Sequence, residues 1–202
     1  MAITREGIEL ALKDLRPDIA ELIPDRTLTR IEQVPCPGLS RYAILSITHL
    51  SPYKPLLHYI GYLEGSKAII LSQDPDAFNA MAAADGNVVI ASKADAATYA
   101  EAVLTVTRSL TKATYIVNSV ADMKWLPTPE PGQVATREKF EAGHGSEISA
   151  PKATANGAGF EVIAFRVVEQ ELQRATVEIG AGGKAKAEFA SVAAGLPLVS
   201  GH

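Results

Sequence analysis

The sequence is poor in the residue types that most often mark a chemical centre. Its 202 residues include one cysteine, one tryptophan and four histidines. A lone cysteine, Cys36, excludes an intramolecular disulfide and a zinc site built from several thiolates. Cys36 lies in the segment Pro35-Cys36-Pro37-Gly38, with no base and no helix N-terminus close by in sequence. We therefore interpret it as a loop cysteine and not as a catalytic thiol.

An excess of charge of one sign and long apolar runs are also missing. The net charge is −4, and no cluster of lysine and arginine of the kind that binds nucleic acid is present. No apolar run approaches the roughly 20 residues that a membrane-spanning helix needs, and the first residues lack the apolar core of a signal peptide. We expect a soluble cytoplasmic protein that binds neither nucleic acid nor membranes.

The motifs of nucleotide, hydrolase and metal sites are absent as well. There is no P-loop, no GxGxxG and no GxSxG segment. The glycine-rich segment 180–183 joins two predicted strands, whereas a phosphate loop joins a strand to a helix N-terminus. His49 and His58 could supply at most half of a metal site, which usually needs three or more ligands. The sequence predicts no cofactor and no bound metal.

The clearest positive feature is a hairpin over residues 173–190. Apolar residues occupy every second position on both sides of the turn at 180–183, namely Ala175, Val177, Ile179, Ala185, Ala187 and Phe189. Strict alternation around a glycine-rich turn predicts an antiparallel hairpin with one dry and one wet face.

Other periodic segments predict the remaining elements. Residues 4–23 have the apolar spacing of a helix that begins at Thr4 and is interrupted by Pro17. Asp74 and Ser92 are predicted N-caps of two further helices, which end at Gly86 and near Leu110. Strands are predicted at residues 41–48, 56–64, 67–71, 115–117 and 160–168.

These elements predict the α+β class, with a mostly antiparallel curved sheet packed against two or three helices. The C-terminal strands are expected to complete the sheet begun upstream, as a single domain over residues 1–202. Cystatin-like and NTF2-like folds have a similar order of elements, an analogy of architecture alone. Residues 127–159 are rich in proline and glycine, and we expect a long excursion there with a helical turn near residues 137–142.

Sheet edges and the 127–159 excursion favour a non-enzymatic binding or assembly protein of bacterial type. A homodimer is the expected form, since two-fold dimers are the commonest assemblies. Tyr53 and Trp125 are the candidate interaction residues, because tyrosine and tryptophan often anchor protein interfaces. The alternative for Trp125 is that it packs against the end of the sheet.

A different hypothesis is a pocket for a small molecule between the sheet and the helices. His58, Tyr59 and Tyr62 would line this pocket, and a histidine near a tyrosine could transfer protons at neutral pH. No carboxylate lies close in sequence to orient His58, so a half-buried structural histidine is the competing interpretation. The sequence does not decide whether the chain is an enzyme, and the lack of a catalytic constellation favours a non-enzyme.

Overall fold

A computed structural model describes residues 3–52, 55–65 and 67–200, which form nine strands in two antiparallel sheets and five α-helices. Sheet 1 has the order β1 (Thr29–Val34), β2 (Tyr42–His49), β3 (Leu56–Leu63) and β4 (Lys67–Ile70). Sheet 2 has the order β5 (Thr114–Val117), β7 (Gly159–Val168), β8 (Glu171–Ile179) and β9 (Ala185–Ala193), and β6 (Lys152–Asn156) also pairs with β7. The helices are α1 (Arg5–Leu12), α2 (Pro17–Ala20), α3 (Pro75–Asp85), α4 (Lys93–Val106) and α5 (Pro131–His144). The predicted α+β class and the antiparallel pairing are confirmed.

The helices begin at the predicted capping residues. Thr4, Asp74 and Ser92 each accept a hydrogen bond from a backbone N–H three residues further on, at 3.1, 2.9 and 3.1 Å. Such caps satisfy N–H groups that have no partner within the helix. Pro17 divides the first helical segment into α1 and α2, as its missing N–H requires. Within the described ranges, no helix has the length and apolar character needed to cross a membrane.

The predicted C-terminal hairpin is present as β8 and β9. Val177 pairs with Ala187, and Ile179 pairs with Ala185 across the turn. Val177 and Ile179 are buried, which confirms the dry face on β8. Phe189 on β9 is 44% exposed, because β9 is the outer strand of sheet 2 and its far end is only partly covered.

The strands form two sheets where one was expected, because α3 and α4 pack between them. A single apolar core contains buried residues of sheet 1, of both helices and of sheet 2. A helix that is apolar on most of its faces can cover a sheet on each side, and α4 has this character. Its buried residues are Ala96, Tyr99, Ala100, Ala102, Val103, Leu104 and Val106. The C-terminal strands therefore build a second sheet and do not extend the first.

Two smaller clusters complete the core. One lies between α1, α2 and the face of sheet 1 that points away from α3 and α4. The other lies on the outer face of sheet 2, beneath α5 and the C-terminal segment 196–198. The order of layers is thus α1 and α2, sheet 1, α3 and α4, sheet 2, and α5.

Residues 127–159, expected to form a long excursion with one helical turn near residues 137–142, contain more regular structure than that expectation. Most of the segment is regular: α5 has 14 residues where one helical turn was predicted, and β6 pairs with β7. Phe140 and Ile148 are buried against sheet 2. The sequence pattern does not show this helix because Phe140 is its one buried residue, so α5 has no apolar stripe.

Candidate functional site

The three residues predicted to line a pocket do not share one. Alternation along β3 places His58 and Tyr62 on one face of sheet 1 and Tyr59 on the other. Tyr62 is 1% exposed and belongs to the cluster under α1 and α2, whereas Tyr59 belongs to the core around α3 and α4. A sheet therefore separates Tyr59 from the other two.

His58 is half-buried near the ion pair of Arg16 and Asp18, whose closest N–O distance is 2.6 Å. Burial and, second, the charge of Arg16 lower the pKa of His58 from its ordinary value, while Asp18 opposes them. The neutral imidazole is therefore the favoured form at neutral pH. His49 lies at the end of β2, where its Nδ1 is 2.8 Å from Oγ1 of Thr29. Across the described residues, no three histidine, cysteine or carboxylate side chains converge on one point.

Of the two predicted interaction residues, Tyr53 lies outside the described residues. Trp125 is partly buried and packs edge-on against Phe140, with 5.8 Å between the ring centroids. The guanidinium of Arg137 lies 4.9 Å from the centroid of the Trp125 ring, and Trp125 forms a β-bridge with Leu198. The indole thus packs sheet 2, α5 and the C-terminal segment together.

Cys36 is partly buried at the margin of the main core. Burial and, to a lesser extent, the charge of Asp85 raise the pKa of its thiol to about 12. The thiolate that nucleophilic chemistry requires is therefore strongly disfavoured at neutral pH. This agrees with the interpretation of Cys36 as a loop cysteine.

Asp85, at the C-terminal end of α3, is 2% exposed and binds the start of β2. Its carboxylate accepts hydrogen bonds from the backbone N–H groups of Ser40, Arg41 and Tyr42, at distances of 2.7–3.1 Å, and from the Ser40 hydroxyl at 2.8 Å. Burial opposes ionisation of Asp85, but these donors more than offset it and hold its pKa below the ordinary value. Both oxygens of the carboxylate accept hydrogen bonds that join α3 to sheet 1, so we assign Asp85 a structural role.

A cleft of about 460 Å³ opens where the end of sheet 1 meets the start of β5. We call it the basic cleft, because Arg108, Lys112 and Lys124 line it and its described lining contains no carboxylate. None of these three cations forms a salt bridge with another described residue. Its other lining residues are Thr48, Pro55, Leu57, Ser109, Leu110, Ala113, Thr114, Tyr115 and Val199.

Arg108 is held in the basic cleft by two hydrogen bonds. Its guanidinium donates to the backbone carbonyl of Thr114 at 2.5 Å and to the Tyr59 hydroxyl at 3.4 Å. Thr114 itself is 8% exposed, and its buried hydroxyl oxygen has no hydrogen-bond partner within the described part of the chain. The ammonium of Lys124 lies 4.8 Å from the centroid of the Tyr115 ring.

Sequence reasoning missed the basic cleft. The end of α4 was predicted near Leu110, but the helix ends at Val106 and residues 107–113 form the loop that carries Arg108 and Lys112. Lys124 follows β5, and the sheet 1 residues of the cleft lie more than fifty positions earlier. No local spacing could have indicated that these residues meet.

The outer edge of β9 is a second notable surface. The strand is nine residues long and pairs with β8 on one side, with no strand on its other side in the described ranges. The Lys186 ammonium binds the Glu188 carboxylate at 2.7 Å on its exposed surface. The Arg166 guanidinium lies 3.3 Å from the centroid of the Phe189 ring, and burial lowers the pKa of Arg166 to about 10.

The structure thus offers two candidate sites of different kinds. The basic cleft is a concave surface with three cations, and the edge of β9 is a linear surface without a partner strand in the described ranges, occupied at Ala185 by the Asn79 side chain. Neither contains a nucleophile paired with a base. Comparison of the chain with protein-family models, with curated protein sequences and with solved structures finds no match.

Proposed function

We propose that this chain is a non-enzymatic assembly protein that forms a homodimer through the outer edge of β9. The observation that supports the proposal is the length of this edge, nine residues without a partner strand in the described ranges. At its first residue, Ala185, the backbone N–H and C=O are bonded to the side chain of Asn79, so the open part of the edge begins after Ala185. Exposed edge strands present unpaired N–H and C=O groups that readily accept a further strand. Joining two copies there would extend sheet 2 across the dimer.

The sequence of β9 is complementary to itself in an antiparallel pair. A two-fold axis at Ala187 places Lys186 of each subunit opposite Glu188 of the partner subunit. It also places Phe189 opposite Ala185 of the partner subunit. The N–H and C=O of Ala185 are bonded to the Asn79 side chain within the chain, at 2.8 and 2.9 Å, so the partner strand would replace Asn79 there. Opposite charges directly across an antiparallel pair stabilise it, and like charges destabilise it. The Lys186–Glu188 pair and the Phe189–Ala185 pair would each occur twice, because the same surface of both subunits forms a two-fold interface.

The proline- and glycine-rich segment 127–159 was expected to offer an interaction surface, but it is a weaker candidate for the dimer interface than β9. The outer side of α5 is exposed, but its backbone groups are bonded within the helix. The strand β6 pairs with β7. Most of its residues are exposed, but the strand is only five residues long. The nine-residue edge of β9 is therefore the better candidate for assembly.

The test is the molar mass in solution, measured by light scattering over a range of concentrations. We expect a species of twice the 21.4 kDa chain mass. Lys186→Glu or Glu188→Lys should each weaken the dimer by about tenfold, since each change creates two like-charge pairs worth roughly 0.5–1 kcal/mol apiece. The double variant Lys186→Glu/Glu188→Lys restores opposite charges and should recover the affinity.

The matched control is Lys152→Glu, which reverses an exposed charge on β6 and should leave the mass unchanged. A monomer at every concentration would refute the homodimer. A dimer whose affinity falls in both single variants and does not recover in the double variant would refute the register at Ala187.

A further inference from the structure

We propose that the basic cleft binds a small polyanion of the phosphate class. Three cations converge there, from the loop after α4 and from the segment after β5, in a chain whose net charge is −4. Cations that line one cleft repel each other, and a bound anion relieves that repulsion. The proposal does not rest on the β9 dimer, although Arg108 and Ser109 also line a neighbouring cavity bordered by β9.

The donor geometry of Arg108 favours phosphate. A guanidinium has five N–H donors in a rigid fork that matches phosphate and carboxylate oxygens. The bonds to the Thr114 carbonyl and to the Tyr59 hydroxyl hold the fork in place and leave further N–H groups for a ligand. A pre-positioned fork loses less rotamer entropy on binding than a free side chain does.

The buried hydroxyl of Thr114 is a second, independent indication. Buried hydroxyls nearly always have a hydrogen-bond partner, and those without one point to a missing ligand or solvent molecule. Thr114 lines the basic cleft beside Arg108, and its hydroxyl has no partner among the described residues. The hydroxyl oxygen is itself shielded from solvent, so it would donate to an anion in the cleft after a change of side-chain rotamer.

The size and the walls of the cleft define the rest of the ligand. Its volume of about 460 Å³ lies within the ~300–1,000 Å³ that is usual for small-molecule sites. Leu57, Leu110 and Val199 add apolar surface to the lining of the cleft. The cleft therefore suits a metabolite-sized molecule that has a multiply charged phosphate group and a less polar remainder.

The probes are inorganic pyrophosphate and citrate, a polyphosphate and a polycarboxylate, titrated into the isotopically labelled protein. We expect pyrophosphate to shift the amide resonances of residues 108–115 and of Lys124 in a saturable manner, and more strongly than citrate. Lys112→Gln/Lys124→Gln should weaken pyrophosphate binding by about tenfold or more, because two close charges are lost. Both lysines are exposed, so this variant should fold.

The matched control is Lys13→Gln/Lys67→Gln, which removes two exposed charges that do not line the cleft. It changes the net charge by the same amount and should leave the affinity within about twofold of the starting value. Equal weakening by both double variants would overturn the site, as would a lack of saturable shifts with pyrophosphate. Tighter binding of citrate than of pyrophosphate would overturn the phosphate class.

Discussion

Replacement of Asp85 by alanine is expected to lower the free energy of unfolding by about 4 kcal/mol. The buried N–H of Tyr42 would lose its acceptor, which costs roughly 1–3 kcal/mol, and the partly buried N–H groups of Ser40 and Arg41 would each lose a hydrogen bond worth roughly 0.5–1.5 kcal/mol. The loss would also separate the end of α3 from the start of β2. Urea unfolding followed by circular dichroism measures the change.

Asp76→Ala is the matched control, because Asp76 is an exposed aspartate in the first turn of the same helix. Its position in the first turn lets it interact with the helix dipole, and its loss should cost less than about 1 kcal/mol. Similar losses for Asp85→Ala and Asp76→Ala would show that the carboxylate network does not stabilise the fold.

The contribution of Asp85 should also depend on pH in a defined direction. Its pKa in the folded protein lies below the ordinary value of 3.8, despite burial, because backbone donors favour the charged form. The unfolded chain therefore takes up the proton first as pH falls. The stabilisation is fully present above the unfolded pKa and is lost as pH falls through the folded pKa.

The variant Asp85→Asn tests this dependence, because asparagine keeps the shape of the side chain and removes the titration. The stability difference between the original chain and Asp85→Asn should be largest at neutral pH and should shrink on acidification. A difference that stays constant through the acidic range would contradict a carboxylate that is ionised in the fold.

Replacement of Gly183 by alanine should lower the free energy of unfolding by about 3 kcal/mol, since it combines backbone strain with overpacking. Gly183 has φ +79°, a left-handed conformation that favours glycine. A Cβ there would lie 2.6 Å from the hydroxyl of Tyr99 and 2.6 Å from Cγ1 of Val88, and both side chains are buried. Tyr99 also donates to the Gly183 carbonyl at 2.7 Å, so it cannot easily move.

Gly182→Ala is the adjacent control. Gly182 has φ +70°, but a Cβ there would meet nothing within 4 Å. It should cost only about 1 kcal/mol, the backbone part of the effect. Thermal and urea unfolding of both variants measure the difference, which isolates the contact between the hairpin turn and α4. Equal losses of unfolding free energy in the two variants would show that the close packing of Gly183 against Tyr99 and Val88 does not contribute to stability.

The candidate sites separate what can be predicted from sequence spacing from what depends on contacts between distant segments. Alternation correctly predicted β3 as a strand, and the same alternation separates Tyr59 from His58 and Tyr62 across sheet 1. In contrast, β9 was predicted as half of a hairpin, but its position at the edge depends on which strands pair beside it. Asp85 could be predicted only as a residue near the end of α3, since its partners lie more than forty positions earlier.

The sequence by itself determined the local elements of this protein: the helix starts at Thr4, Asp74 and Ser92, and the β8–β9 hairpin. These depend on hydrogen bonds and side-chain alternation within a few residues, so they are readable from spacing. Only the tertiary structure decided the division into two sheets, the helix α5 and the basic cleft. Each of these depends on which distant surfaces bury each other, and that is a property of packing between elements and not of any single segment.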